Sequence, residues 1–325
     1  MIEIKDKTTF FELQKKLNRI PFTQSRGWCD YLLCCGKQIV FFVDSVQNPK
    51  ITCWGIAQKI PFSSKKILRI EGESYINELS EKIFKNFYSN LLNIGYQGIE
   101  INSNNTFNLE FEIGIRRSGF IRPLGSFSCP LTIEIDFNID FKFDNNWKRN
   151  VKKALKFELK FQELIDISTK ETKQISDMFK ELANLKGLGF HLETESLQIL
   201  LASNDIRTFM VYNNKNHPVA ARIVHVNNLF ATDIFAANSL EARKCGATYF
   251  IMQHIFETLK EEGFQTFDFG RIPPSNHATD SVYVFKNASR GTKVQYNGEW
   301  TFYKKKYIEI LLLAYKLLKL KKQRY

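Results

Sequence analysis

The chain resembles itself at an offset of 168 residues, and this self-similarity limits its possible folds more than any other feature. From Asn86 to Asn102 it reads Asn-Phe-Tyr-Ser-Asn-Leu-Leu-Asn-Ile-Gly-Tyr-Gln-Gly-Ile-Glu-Ile-Asn. From His254 to Gly270 it reads His-Ile-Phe-Glu-Thr-Leu-Lys-Glu-Glu-Gly-Phe-Gln-Thr-Phe-Asp-Phe-Gly. Leu91 aligns with Leu259, Gly95 with Gly263, Tyr96-Gln97 with Phe264-Gln265, and Glu100 with Asp268. Each window reads as an amphipathic helix, a terminating glycine and a short apolar strand carrying one acid. An offset of about half of a 325-residue chain implies two duplicated domains.

The periodicities fit two α/β units of the α+β type, with mixed, largely antiparallel sheets. Helices are predicted over 8–18, 23–33, 75–93 and 107–117, then over 146–157, 169–185, 193–202, 244–261 and 276–287. Strands are predicted over 38–43, 51–58, 66–70, 98–101 and 131–136, then over 160–165, 207–212, 218–226, 229–235, 266–269 and 293–297. Asn213 to Asn216 and Asn227-Asn228 read as turns between antiparallel strands. This gives an N-terminal domain over 1–143, a second over 144–302, and a C-terminal helix over 303–325.

Composition excludes several classes. Hydrophobic residues make up 44% and charged residues 25%, so the chain buries a core and is not largely disordered. No run approaches the roughly 18 uncharged apolar residues of a spanning helix. The start, Met-Ile-Glu-Ile-Lys-Asp-Lys, has no apolar signal segment, so the expectation is a cytoplasmic protein. The six cysteines show no paired CxxC spacing and read as reduced thiols, mostly packed as small hydrophobes, Cys34-Cys35 included. The five histidines are dispersed, so no metal site is expected. Neither a GxSxG elbow nor a GxxxxGK[ST] loop is present.

The net charge of +12 resides in two segments. Phe141 to Lys160 holds seven basic and two acidic residues, and Tyr303 to Tyr325 holds eight basic and one acidic. Localised cations imply a polyanionic partner, or else two solvated helix faces. In the first segment Trp147, Val151, Ala154 and Leu155 share one face, with Arg149, Lys152 and Lys153 among the cations on the rest; Asn145 or Asn146 is the expected cap. The second segment reads as a basic amphipathic helix. It suits an anionic membrane surface, or packing on the body of the protein with its lysines in water.

Two further stretches carry candidate chemistry. The loop through Arg243, Lys244, Cys245, Gly246, Ala247 and Thr248 leads into a long helix whose start suits a phosphate. Phe267-Asp268-Phe269-Gly270-Arg271 ends a strand, where binding crevices form, and Phe285-Lys286 follows on the next helix. Lys286 is placed to stabilise negative charge or, equally, to offset a helix dipole; Asp268 is a possible base or a structural acid.

Taken in order, these residues resemble the Fem family of peptidoglycan interpeptide-bridge aminoacyltransferases, built from two GNAT-like acyltransferase domains. Phe22-Thr23-Gln24-Ser25 with Trp28 is similar to the family's N-terminal Gln-Ser-x-x-Trp segment. The basic stretch from Trp147 to Ala154, the Phe267–Arg271 strand end, and Phe285-Lys286 with the following Val294 to Trp300 match later segments. The resemblance implies aminoacyl transfer from a charged tRNA to an amino group on a peptidoglycan precursor, nucleotide- or lipid-linked, with no tightly bound cofactor and no metal. It places Lys286 and Phe285 where the family's catalytic or tRNA-end-contacting Phe-Lys sits. Gln24, Trp28, Arg149, Lys152, Lys153, Arg243, Lys244, Gly246, Gly270 and Arg271 are the candidate substrate- or phosphate-binding residues. The helical hairpin that some members insert is missing. Arg243 to Thr248 retains most of the acetyltransferase pyrophosphate pattern, which keeps acyl-CoA open as donor, and a non-catalytic RNA- or membrane-binding role is the third expectation. The expected location is the cytoplasm, with peripheral contact at the inner face of the membrane.

Overall fold

The computed structural model describes residues 1–61, 63–125, 128–186, 192–272 and 281–322. It divides into two compact units, Met1–Pro130 with Val294–Tyr325, and Leu131–Lys293. The sequence reading parts the chain at 143/144 and assigns 144–302 to the second domain. The compact units part at 130/131 because β7 (Leu131–Asp136) pairs with β12 (Thr266–Asp268) of the second unit. They part again at 293/294 because β13 (Thr292–Tyr303) pairs with β6 (Gly98–Thr106) of the first.

The first unit contains β1 (Ile2–Ile4), α1 (Lys7–Gln14), α2 (Arg26–Cys34), β2 (Ile39–Val43), β3 (Ile51–Lys59), β4 (Lys66–Ile70), β5 (Ser74–Tyr75), α3 (Glu81–Leu91), β6, α4 (Leu109–Arg117) and β13. Its strands run β1-β2-β3-β4-β6-β13, with β5 on β3; the β4–β6 pair is parallel and the others are antiparallel. Helix starts follow cap chemistry: Asp6, Ser25 and Asn108 each accept a backbone N–H from the first turn. Phe84, Phe87, Tyr88 and Leu91 of α3 and Phe111 of α4 pack over Leu68, Ile99, Ile101 and Trp300. The last helix, α11 (Lys306–Lys322), buries Ile308 and Leu312 against Ile60 and Ile67. Cys34 and Cys35 are exposed at the end of α2, contrary to their expected place in a core, because the helix buries Cys29, Tyr31 and Leu32 instead.

The second unit contains β7, α5 (Asn145–Ala154), β8 (Lys160–Leu164), α6 (Thr169–Lys186), α7 (Thr194–Leu201), β9 (Ile206–Tyr212), β10 (Pro218–Asn227), β11 (Phe230–Asn238), α8 (Leu240–Cys245), α9 (Ala247–Glu261), β12 and α10 (Ser281–Asn287). Part of the helix expected over 276–287 lies outside the described residues. The strands run β7-β12-β11-β10-β9-β8, and only the β11–β12 pair is parallel. The repeat is therefore visible in structure: each unit has one parallel pair with a helix crossing between its strands. Gly263 directly follows the C-cap of α9 at φ +86°, and Gly95 lies three residues past the C-cap of α3 at φ +87°, a left-handed conformation that glycine adopts without strain.

Candidate functional site

A cavity of about 410 Å³ opens in the second unit. One wall is β11 from Asp233 to Asn238. Pairing of β11 with β12 stops at Thr232/Asp268, and β11 runs on paired only with β10 on its other side. Arg222 of the neighbouring β10 belongs to the same sheet, and the rest of the lining includes Arg243 and Gly246 at the α8–α9 junction, Thr248 and Tyr249 of α9, and Phe285 and Lys286 of α10.

Lys286 sits where the strands part. Its ammonium donates to the backbone carbonyl of Phe269, supplying a partner at the end of β12 where pairing with β11 has ceased. Burial pushes its pKa below the ordinary 10.5, opposed by Asp233 and assisted by the charge of Arg222. Phe285, 8% exposed, stacks on Trp147 with centroids 5.3 Å apart, and Tyr249 meets its edge at 5.0 Å. The Arg222 guanidinium lies 5.4 Å from the same ring. These contacts fix the turn of α10 that carries Lys286.

Asp268 does not line the cavity. Its Oδ1 accepts from the Thr132 hydroxyl at 2.5 Å and the Gly270 N–H at 2.7 Å, and the side chain is buried. It works as the structural acid of the strand end, shaping the turn in which Gly270 adopts φ +70°. A Cβ on Gly270 would stand 3.1 Å from the Asp233 carbonyl, so this glycine lets the two strand ends pass closely. Arg271 follows the turn, half-buried, outside the cavity lining.

At the other end of the cavity, Gly246 (φ +77°) joins α8 to α9. A Cβ here would come 2.6 Å from the Asn150 carbonyl, so close packing of α5 on the junction requires glycine as much as any ligand does. Arg243 lines the cavity, while Lys244 is exposed and is not part of its lining. Thr248 donates its hydroxyl to Asn238 at 3.0 Å, tying the α9 start to the end of β11.

Helix α5 is capped by Asp144, whose carboxylate accepts the Trp147 N–H at 2.7 Å; the expected caps Asn145 and Asn146 lie one and two residues inside. Trp147, fully buried, stacks on Phe143 at 4.6 Å, which locks the apolar face. Arg149, Lys152 and Lys153 are exposed and do not line the cavity, though Asn150 of the same helix does.

In the first unit, Gln24 is fully buried and serves the backbone. Its Oε1 accepts the Trp54 N–H at 2.7 Å, its Nε2 donates to the carbonyls of Trp54 and Glu71 at 3.0 and 3.2 Å, and its own carbonyl accepts the Trp54 indole N–H at 3.0 Å. Ser25 caps α2 through the Trp28 N–H, and Trp28 stacks on Tyr31 at 4.7 Å. The Gln-Ser-x-x-Trp segment is thus a brace between α2 and β3; Gln24 has no group left to offer a substrate.

Sequence reasoning missed Arg222, Asp233 and Tyr249. A signal existed: Arg222 and Asp233 are lone charges inside the apolar strands Pro218–Asn227 and Phe230–Asn238, on neighbouring antiparallel strands. They form an ion pair at 2.7 Å with side chains 4% and 5% exposed. Among the described residues, no group of histidines, cysteines or carboxylates is arranged to hold a metal ion. No helix among them is long and apolar enough to cross a membrane.

Residues 144–286, which contain every residue lining the cavity, match the model of an acetyltransferase (GNAT) domain. No curated protein matches the chain by sequence. Among solved structures the chain is similar to FemX, with a TM-score of 0.72 at 11% identity, over 93% of this chain and 97% of that one. It is similar to L-PGS from Bacillus licheniformis, with a TM-score of 0.64 at 15% identity, over 94% and 96%. It is also similar to the C-terminal domain of a putative lysylphosphatidylglycerol synthetase from Agrobacterium fabrum, with a TM-score of 0.62 at 12% identity, over 96% of both chains. At such identities the likeness is one of fold. The chain therefore has the tandem GNAT fold, and the part that carries the cavity matches an acetyltransferase domain.

Proposed function

We propose that the protein transfers an aminoacyl group from a charged tRNA to an amino group of a peptidoglycan precursor peptide, nucleotide- or lipid-linked. The observation that carries this reading is the junction of Lys286 with the open edge of β11, inside a cavity that also reaches Arg243 and the start of α9. One end suits a phosphate-bearing donor; the other presents a cation where an acyl carbonyl would lie.

The chemistry asks little of the protein beyond alignment. The acceptor nitrogen attacks the ester carbonyl carbon, the new C–N bond forms as the C–O bond to the ribose breaks, and a nitrogen-bound proton ends on the leaving 3′-oxygen. Holding the two reactants in line contributes on the order of 7–11 kcal/mol of the barrier, so no nucleophilic side chain is needed. Lys286 stabilises the oxygen that gains negative charge, and its lowered pKa eases proton donation to the leaving oxygen. Phe285 and Trp147 hold its helix in place.

Acyl-CoA is the second reading of the donor, favoured by Arg243, Gly246 and Thr248 flanking the cavity in the order of an acetyltransferase phosphate loop. Radiolabelled aminoacyl-tRNA and acetyl-CoA, offered separately with a muropeptide acceptor, decide between them. Peripheral contact with an anionic membrane belongs to the same proposal. It is supported by α11, where Tyr307, Ile310, Leu317 and Leu318 are exposed among lysines.

A further inference from the structure

The ion pair in the cavity leaves two of its polar atoms unused. Asp233 Oδ2 accepts from Arg222 Nη1 at 2.7 Å, while Asp233 Oδ1 and Arg222 Nε are buried without a hydrogen-bond partner among the described residues. An ionised oxygen in that state is costly, and the cost falls away when a charged donor reaches it. The backbone shows how the carboxylate is aimed. Ile223 pairs with Phe235, but the next residue, Val224, pairs with Asp233, so Ile234 is an inserted bulge residue. The insertion reverses the alternation of β11 and brings Asp233 to the face of Arg222, against the cavity.

The carboxylate also stands at one end of a run. From Asn238, tied to the α9 start by Thr248, the lining follows β11 back to Asp233. Five strand steps cover about 17 Å at the usual rise. A donor anchored by phosphate near Arg243 and laid along this edge brings its acyl end to Asp233, beside Lys286.

We propose that Asp233 Oδ1 receives the α-ammonium of an aminoacyl donor, with Arg222 holding the carboxylate in position, so that the cavity selects amino acids over plain acyl groups. This rests on the acyl-transfer reading of the cavity above and names the donor class that it takes. An acetyl group has nothing to offer a buried carboxylate, whereas an α-ammonium supplies the missing donor and the opposite charge.

Two probe pairs test it by calorimetry on the full chain, each pair differing only in the amine. One is 3′-glycylamido-3′-deoxyadenosine against 3′-acetamido-3′-deoxyadenosine. The other is S-(3-amino-2-oxopropyl)-coenzyme A against S-acetonyl-coenzyme A. In whichever pair binds, the amine-bearing member is expected to bind at least tenfold tighter. Asp233→Asn should bring the two within about twofold, and so should the double variant Arg222→Met/Asp233→Leu, which removes both members of the ion pair. Equal affinities in the unaltered protein, or a tenfold preference surviving in a folded variant, overturn the assignment. Preference confined to the coenzyme A pair supports Asp233 and overturns tRNA as donor, and binding of neither pair overturns both. An Asp233→Asn effect confined to the KM of the amine acceptor, with donor preference intact, places the carboxylate on the other substrate and also overturns it.

Discussion

The ammonium of Lys286 donates to the backbone carbonyl of Phe269, one residue past the last pairing of β12 with β11. A single side chain therefore both closes an open strand end and supplies the cation at the bottom of the cavity. Replacing it with methionine is expected to lower kcat by about 10²–10³-fold, in line with the loss of one oxyanion donor, while KM values stay within about threefold. Initial-rate kinetics checks this, and unchanged turnover removes the role. Because burial lowers the Lys286 pKa, activity that needs its ammonium should fall on the alkaline side at a pH below 10.5; Lys286→Arg should shift that fall beyond the measurable range.

Glu73 in the first unit is fully buried, hydrogen-bonded by Ser103 and Asn105, with its pKa pushed up to about 7 by desolvation against an ordinary 4.5. The folded state holds this proton more tightly than the unfolded one. Its stabilising contribution is therefore full below pH 4.5 and is lost as pH rises toward about 7, a change on the order of 3 kcal/mol. Urea unfolding across this window should show stability from this group declining with pH. In Glu73→Gln that component should disappear, and an unchanged pH dependence would contradict the assignment.

Gln24→Ala should destabilise the first unit by about 3 kcal/mol, because it leaves the backbone N–H of Trp54 and two carbonyls without their partner. Donor binding in the second unit should stay within about twofold. Denaturant midpoints and the adenosine-probe titration separate the two effects; a loss of binding with full stability would restore Gln24 as a substrate contact.

Much of this architecture was readable beforehand, for local reasons. β4 and β7 lie where alternation put them, and the paired glycines at 95 and 263 gave away the repeat, since a left-handed conformation past a helix end selects glycine by sterics alone. The compact-unit boundaries were not readable, because β7 and β13 pair with strands far away in sequence, and such pairing leaves no local trace. Lys286, Phe285, Arg243 and Gly246, singled out in the sequence by their motifs, line one cavity. That Asp268 and Gln24 spend polar atoms on the backbone was not readable, because a motif does not reveal it. Asp233 was missed because its orientation depends on a bulge that alternation alone reads the wrong way round.

The double variant Leu317→Glu/Leu318→Glu tests the outer face of α11 without disturbing Ile308 and Leu312, which are buried. It should abolish sedimentation with phosphatidylglycerol vesicles, to which each nearby cation contributes roughly 1 kcal/mol, and leave the melting temperature within about 2 °C. If the unaltered protein does not sediment with such vesicles at low salt, the membrane contact is refuted.

The most direct test offers the purified protein a labelled aminoacyl-tRNA or labelled acetyl-CoA with a muropeptide acceptor, and follows label into the peptide. The expected result is transfer from the charged tRNA, slowed about 10²–10³-fold in Lys286→Met. Transfer from acetyl-CoA alone, or label reaching the peptide undiminished without Lys286, would contradict it.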